Sequence, residues 1–236
     1  MIKPYNTDEN KKKEIKKMFN NIAQSYDALN RILSLGIDVW WRKKAIKQFN
    51  NPKIILDVAT GTADFAISAA KNTNATITGI DISDKMLEIG EQKIKKLNLE
   101  NRITLKLGDA EETSFKENSF DAITIGFGVR NFENLDLGLK EMHRILKKNG
   151  QVAILEPSIP TLFPLKQIYN LYFQFLLPKI GGWFSRDTSA YSYLPNSVKS
   201  FPSKKQFLEK LKKIGFSKQR HISLSFGIVS LYIAIK

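Results

Sequence analysis

Three aspartates are placed where chemistry could be built between them. Asp57 closes the apolar run Ile54, Ile55, Leu56; Asp81 closes residues 75–81; Asp109 follows Ile103–Leu107 and Gly108. Between the first two lies a small-residue turn, Ala59-Thr60-Gly61-Thr62-Ala63, and then Phe65, Ile67, Ala69 and Ala70 at helical spacing. Apolar run, sharp turn and helical period read as strand, turn, helix. Gly61 lets the backbone come close to a ligand or take a positive φ, and the helix start offers free N–H groups. A dinucleotide site would need G-x-G-x-x-G for its pyrophosphate, and only Gly61 is present. An acidic strand end before a single-glycine turn suits a cationic, phosphate-free nucleoside such as S-adenosylmethionine. An ordinary β–α connection explains the turn alone equally well. The second strand shifts the balance, because a carboxylate at its end can accept from both ribose hydroxyls.

Strand and helix patterns alternate around these acids. Strands are expected at 54–57, 75–81, Ile103–Leu107, Phe120–Gly126 and 151–155, the last ending at Glu156-Pro157. Ser83 caps the helix after the second strand, and a helix over 135–146 ends at Lys147-Lys148-Asn149-Gly150. The alternation predicts an α/β fold, a doubly wound parallel sheet with a polar rim at one edge. Ahead of it, residues 8–50 carry an amphipathic helix with a basic face around Ile15, Met18, Phe19 and Ile22. Asp38 is expected to cap a second helix running to about Phe49, with Trp41 packed on the sheet. A helical insertion over 157–200 follows strand five. Its 162–177 stretch is apolar and aromatic, too short and interrupted to span a bilayer. A core helix, a cover over a greasy substrate and a membrane-lying surface are all consistent with it. Helix Lys204–Ile214 and strands at 218–224 and 228–235 close the chain.

Composition narrows the class. The 236 residues suit one domain, read as 1–236 with an N-terminal helical cap (8–50), a cofactor-binding core (53–156), the insertion (157–200) and closing elements (201–236). With no cysteine, disulfides, thiolate catalysis and Cys-ligated metals are excluded, and a reducing cytoplasm fits. The first residues lack an apolar signal-peptide core. The net charge of +14 comes from lysines spread along the chain, a pattern that composition alone explains.

The motifs LDVATGTADF, ITGIDISDKMLEIG, GDAEETSFKENSFDAIT and LKKNGQVAILE resemble those of class I S-adenosylmethionine-dependent methyltransferases, in order. MFNNIAQSYDALNRILSLGIDVWWRKKA, FGVRNFENLDLGLKEMHRILK and SAYSYLPNSVKSFP are similar to the ubiquinone/menaquinone biosynthesis C-methyltransferases, from about Phe19 to the C-terminus. The resemblance implies a seven-stranded, mostly parallel, Rossmann-like sheet with an antiparallel last strand. It implies methyl transfer from S-adenosylmethionine to a ring carbon of a prenylated quinol. Family cofactor positions fall on Thr62, Asp81, Asp109 and Ala110; Asp57, Gly61 and Ile82 complete the expected set. Gly126 stands where some members carry a cofactor-contacting Ser. Ala63 replaces a common Gly, a form that leans towards demethylmenaquinol, with the ubiquinone-pathway benzoquinol as the alternative.

A sulfonium methyl is electrophilic, so no metal is needed; the ring carbon must be made nucleophilic by loss of a hydroxyl proton. Arg130 and Asn131 follow strand four. Arg130 is expected to stabilise phenolate charge, Asn131 to orient a proton-carrying water and Tyr26 to hydrogen-bond the quinol, roles proposed for matching residues of relatives. The competing role for Arg130 is an ion pair with Asp27 or Glu133. His143 and His221 lie away from strand ends and are read as structural. The partner is a prenylated quinol, not nucleic acid: RNA binding would interleave aromatics with Lys and Arg, whereas here aromatics cluster with aliphatics. An RNA methyltransferase and a non-catalytic scaffold are the rival functions. Peripheral contact with the inner face of a membrane and a homodimer are both compatible with this reading.

Overall fold

The structure is a computed structural model that describes residues 2–171 and 189–236. Seven strands form one sheet in the order β3-β2-β1-β4-β5-β7-β6. These are β1 (Ile54–Val58), β2 (Thr76–Asp81), β3 (Ile103–Leu107), β4 (Phe120–Gly126), β5 (Leu146–Pro157), β6 (Ser217–Leu224) and β7 (Val229–Ile235). Strands β1 to β5 pair in parallel, and β7 runs antiparallel between β5 and β6. The strand order reverses direction at β1, whose neighbours are β2 and β4. That switch point leaves a crevice beyond the strand ends.

Both faces of the sheet are covered, so its strands are apolar runs rather than alternating ones. On one face α2 (Asp38–Ile46) and α3 (Asp64–Asn72) pack through Trp41, Ala45, Phe65 and Ala69 on Ile55, Ile77 and Leu231. On the other, α5 (Leu135–Ile145) and a helix numbered α8 (Lys204–Ile214) bury Leu139, Met142 and Phe207 against Leu56, Ile123 and Ile154. Helix α4 (Asp84–Lys96) starts at Ser83, whose hydroxyl accepts from the Met86 N–H. A Ser203/Gln206 capping box starts α8. Trp41 is buried as expected, and its Nε1–H donates to Ser225 Oγ at 2.8 Å.

The 8–50 segment holds the expected amphipathic helix, α1 (Lys11–Leu33, 23 residues), before α2. Two local expectations are corrected. Asp38 is not the cap of α2; Ile37 holds that position without a side-chain bond. The Asp38 carboxylate instead binds Arg31 and Arg42, and α2 stops at Ile46. Residues 147–150 do not end α5: they lie inside β5, which begins at Leu146. A register shift against β4 absorbs them, with Asn149 rather than Gly150 at positive φ.

After β5, helices α6 (Leu165–Leu171) and α7 (Ser189–Ser200) belong to the insertion. Residues 172–177 of the expected apolar cover lie outside the described residues. Among the described residues no helix is long and apolar enough to cross a membrane.

Candidate active site

The crevice at the switch point is a cleft partly open to solvent. The Gly61 turn, the ends of β2 and β3 and the residues after β4 form its floor, and α1 forms its roof through Lys12, Ile15, Phe19 and Tyr26.

Asp57 sits beneath this floor. It is fully buried and accepts from Thr60 Oγ1 at 2.6 Å, Thr124 Oγ1 at 2.7 Å and the Ala66 N–H at 3.1 Å. It therefore ties β1 to β4, to the turn and to the start of α3. Burial pushes its carboxyl up to about 6, against those three donors. The turn itself holds Ala59, Gly61 and Ala63 at φ of 52°, 55° and 65°. At Gly61 an added Cβ would meet only Tyr26 Cε1, at 3.9 Å. The dihedral favours glycine, although Ala59 and Ala63 hold similar ones in the same turn, and the space above Gly61 is left for a ligand.

Asp81 reaches the cleft from β2. Its Oδ2 accepts from the Gly61 N–H at 2.8 Å and its Oδ1 from the Ser83 N–H at 2.9 Å. Burial raises its carboxyl, opposed by backbone donors from Ser83, Gly61 and Ile82. Each oxygen still has a lone pair for a hydroxyl donor. Beside it, Asp109 receives Lys12 Nζ at 2.5 Å on Oδ2 and the Glu111 N–H at 2.9 Å on Oδ1. Ile82 and Ala110 line the same cleft. Gly126 lines it as well, and a Cβ there would come within 2.9 Å of Phe65 Cδ1.

Thr62 is placed differently from expectation. It is almost fully buried and does not line the cleft. Its hydroxyl donates to Asp27 Oδ1 at 2.5 Å and accepts from Lys93 Nζ at 3.1 Å. Lys93 also reaches Asp27 Oδ2 at 2.7 Å and Asp64 Oδ1 at 2.5 Å. Thr62 thus belongs to a knot joining α1, the turn, α3 and α4, and acts on the cleft through the turn. Asp27 is held in this knot.

The loop after β4 turns at Phe127 (φ 60°) into a short 3₁₀ helix, Val129–Asn131. Tyr26 and Asn131 both line the cleft, so the structure brings them to the cofactor floor. Arg130 does not line it. Its Nη1 donates to Glu156 Oε2 at 3.1 Å and to the Phe127 carbonyl, and the pair is nearly dry, 9% and 1% exposed. The competing role, an ion pair with Asp27 or Glu133, takes another form: Arg130 pairs with Glu156, at the end of β5. Arg130 Nε is buried without a partner among the described residues. Burial raises Glu156, opposed by Arg130.

Four further residues were not singled out from the sequence. Lys12 spans the cleft mouth to Asp109. Lys11, buried at the start of α1, donates from Nζ to the carbonyls of Arg130 at 3.0 Å and Phe132 at 2.8 Å, and desolvation lowers it to about 8. Tyr193 from α7 donates to Asn131 Oδ1 at 3.1 Å, and burial pushes its phenol up to about 12. Glu156 was noted only as a strand-closing acid. The two lysines sit in a basic run that reads as a solvated face; Tyr193 lies in a motif that carried the family resemblance. His143 packs edge-on to Phe216, and His221 bonds Ser230, both outside the cleft.

The fold is that of class I S-adenosylmethionine-dependent methyltransferases. One solved example, a SAM dependent methyltransferase from Aquifex aeolicus, superposes with a TM-score of 0.62 at 16% identity, covering 84% of this chain and 91% of its own. The model of the ubiE/COQ5 methyltransferase family matches residues 6–236, and the chain belongs to that family. It is 46% identical over 238 residues to the demethylmenaquinone methyltransferase of Bacteroides fragilis, spanning 100% of this chain and 97% of that one. It is 47% identical over 230 residues to the ubiquinone/menaquinone biosynthesis C-methyltransferase UbiE of Citrifermentans bemidjiense, spanning 96% and 97%. The cofactor of the family, S-adenosylmethionine, fits the donor set: acceptor capacity left on Asp81, open space over Gly61, and apolar walls from Ile82 and Met86.

Proposed function

We propose that the protein methylates a ring carbon of demethylmenaquinol to give menaquinol. The observation that carries this is the meeting of Asp81 and Gly61 with Tyr26 and Asn131 in one cleft, in a chain alike from end to end to a demethylmenaquinone methyltransferase. S-adenosylmethionine would be held by Asp81 and the Gly61 turn, with Ile82, Asp109 and Ala110 around it, and would supply an electrophilic methyl group.

The chain's own residues then have separable tasks. Asp81 fixes one end of the cofactor, and α1 excludes water from above. Tyr26 stays protonated, its phenol raised by burial, so it donates to a ring oxygen. Asn131 is fixed by Tyr193, which donates to its Oδ1, and by the Phe127 carbonyl, which accepts from its Nδ2 at 3.4 Å; the second Nδ2 hydrogen is left for the ring or a water that takes the ring proton. Arg130 places a positive charge behind Asn131, where it stabilises phenolate charge through a low-dielectric gap. Its unpartnered Nε is the donor not consumed by Glu156. Such a substrate carries a lipid tail, so the reaction is assigned to the cytoplasmic side of a membrane, with the protein in peripheral contact.

The test is mass analysis of the lipid quinones of a deletion strain, with and without the gene restored. The expected result is a menaquinone one methylene lighter in the deletion strain, corrected by wild type but not by Asp81→Ala. Normal menaquinone in the deletion strain overturns the proposal. Accumulation of a demethylated benzoquinone would transfer the assignment to the ubiquinone pathway, which the name of the Citrifermentans relative includes.

A further inference from the structure

The first turn of α1 reaches both sides of the cleft. Lys12 Nζ lies on the cofactor side, 2.5 Å from Asp109 Oδ2 and 3.5 Å from Glu111 Oε2. Lys11 points into the loop after β4 instead. Its Nζ donates to the Arg130 carbonyl at 3.0 Å and to the Phe132 carbonyl at 2.8 Å, and its backbone N–H donates to Glu133 Oε1 at 2.9 Å. Those two carbonyls flank Asn131, which lines the cleft. One ammonium therefore grips the backbone immediately before and immediately after that residue.

The sheet and α5 hold the same loop from other sides. The Arg130 N–H donates to Glu156 Oε1 at 3.3 Å, and the Glu133 N–H to Glu111 Oε1 at 2.7 Å. Phe132 lies against α5, where an added Cβ at Gly138 would come 2.4 Å from its Cδ2. Lys11 supplies the tie from the roof.

Folding does not account for a lysine at this place. Lysine is rarely buried unless a carboxylate pairs with it, and Lys11 is 7% exposed. Its hydrogen-bond partners are neutral carbonyls, while Glu111, Glu133 and Glu156 act on it only through longer-range charge. Ile15, Met18 and Ile22 already pack this helix on its neighbours. A methionine would fill the space of the stem without dehydrating an ammonium.

We propose that Lys11 is a positioning residue for the methyl transfer: from α1 it fixes the backbone on both sides of Asn131, so that the Asn131 amide and the Arg130 charge are aligned only when the roof is seated over the cleft. The step it serves rests on the reading of the protein as a quinol methyltransferase; the grip on the loop does not. The same helical turn carries Lys12 on Asp109, so the cofactor side and the loop share one support.

The grip depends on charge. Burial, aided by the Arg130 cation, brings the Lys11 ammonium down to about 8, against Glu111 after β3, Glu133 beyond the loop and Glu156 on β5. Tyr193 from α7 stays a neutral phenol in this range. Hydrogen bonds from a charged donor are about twice as strong as neutral ones, so the grip loosens as pH rises through that value.

The experiment compares wild type with Lys11→Met, which keeps the stem, and Lys11→Arg, which keeps the charge. The readouts are steady-state methylation of a tail-free demethylmenaquinol, well below the lowest melting temperature of the three, and the NMR resonance of the Asn131 side-chain amide, identified by its loss in Asn131→Ser. At neutral pH Lys11→Met should lose kcat by roughly tenfold or more, as displaced reacting groups do, with KM for quinol and S-adenosylmethionine little changed; Lys11→Arg should restore it. Wild-type kcat should fall as pH rises past about 8. That fall should be absent from Lys11→Met and move to higher pH in Lys11→Arg. The Asn131 amide should shift over the same range in wild type only. Wild-type kcat in Lys11→Met, or an unchanged high-pH fall in either variant, overturns the proposal even if the variant melts lower, because Lys11 would then serve the fold alone. A raised KM with kcat intact overturns it too and moves Lys11 to substrate binding. Should Lys11→Met fail to fold, the pH profile of Lys11→Arg decides. If no protein methylates the quinol while the amide follows pH in wild type only, the reaction is wrong and the grip stands. If wild type methylates and the amide ignores both pH and Lys11, the grip is wrong and the reaction stands.

Discussion

Arg130 offers a way to separate holding the fold from doing the chemistry. Replacing it with Ala leaves Glu156 buried at 1% exposure with its cation gone from 3.1 Å. Breaking a buried pair in this way costs about 3–5 kcal/mol. For a chain of this size about 1 kcal/mol moves the melting temperature by 2–4 °C, so a loss of roughly 6–20 °C is expected. The companion change Glu156→Gln removes the stranded charge while keeping an acceptor for the Arg130 N–H. The double variant Arg130→Ala/Glu156→Gln should therefore recover most of the stability. It should not recover turnover: if Arg130 stabilises phenolate charge, kcat stays down by about 10²–10³-fold. Calorimetry should find S-adenosylmethionine bound by the double variant as by wild type, since Arg130 does not line the cleft. The assays are thermal melts, calorimetric titration and single-turnover methylation on all four proteins of the cycle. A double variant with wild-type turnover would refute the reasoning, because Arg130 would then serve only to neutralise Glu156. A fully stable Arg130→Ala would refute the stability argument.

Three other outcomes follow from the site. Asp81→Asn, which keeps the shape but loses the anionic acceptor, should weaken S-adenosylmethionine at least tenfold by calorimetry, in line with about 1.5–3 kcal/mol for a hydrogen bond to a charged group; unchanged affinity would remove Asp81 from the cofactor site. Asp57, raised to about 6 from 3.8, takes up its proton in the folded state before the unfolded one. Its contribution to stability therefore falls as pH rises through that window, by up to about 3 kcal/mol; urea melts should show Asp57→Asn gaining on wild type between pH 4 and 6.5, and a gap that widens the other way contradicts the assignment. Gly61→Ala forces a methyl-bearing residue to φ 55° and should cost roughly 1–2 kcal/mol; a melting temperature equal to wild type would mean the turn relaxes.

Much of this was legible because parallel strands covered on both faces are written as unbroken apolar runs. Ile54-Ile55-Leu56 and Ile123-Thr124-Ile125 needed no partner to be recognised, and their order placed Asp57, Asp81 and Asp109 at one edge. What stayed hidden depends on register and on long-range pairing. Residues 147–150 look like a helix stop by composition, and only the shifted pairing with β4 makes them strand. Glu156 meets Arg130 because β4 and β5 are neighbours, a fact no local pattern states. Lys12 finds Asp109 across 97 positions, and the lysine run that holds it gives no sign of which member turns inward. Thr62 sits in a motif tied to the cofactor, yet its hydroxyl is taken by Asp27 and Lys93 from two other helices.

The position of β7 bears on the order in which this molecule can be assembled. Strands β1 to β4 come from 73 consecutive positions, 54 to 126, and pair only with one another and β5. The cofactor floor can thus form early from near neighbours. Strand β5 meets its second partner only when residues 229–235 arrive, after the whole insertion and α8 have been made. Until then one edge of β5, with Glu156 on it, is open, and β6 has no neighbour in the sheet. Closing such a long loop is slow, so the β5 edge beside the Arg130–Glu156 pair should be the last part to become native during refolding and the part most exposed to mispairing while it waits.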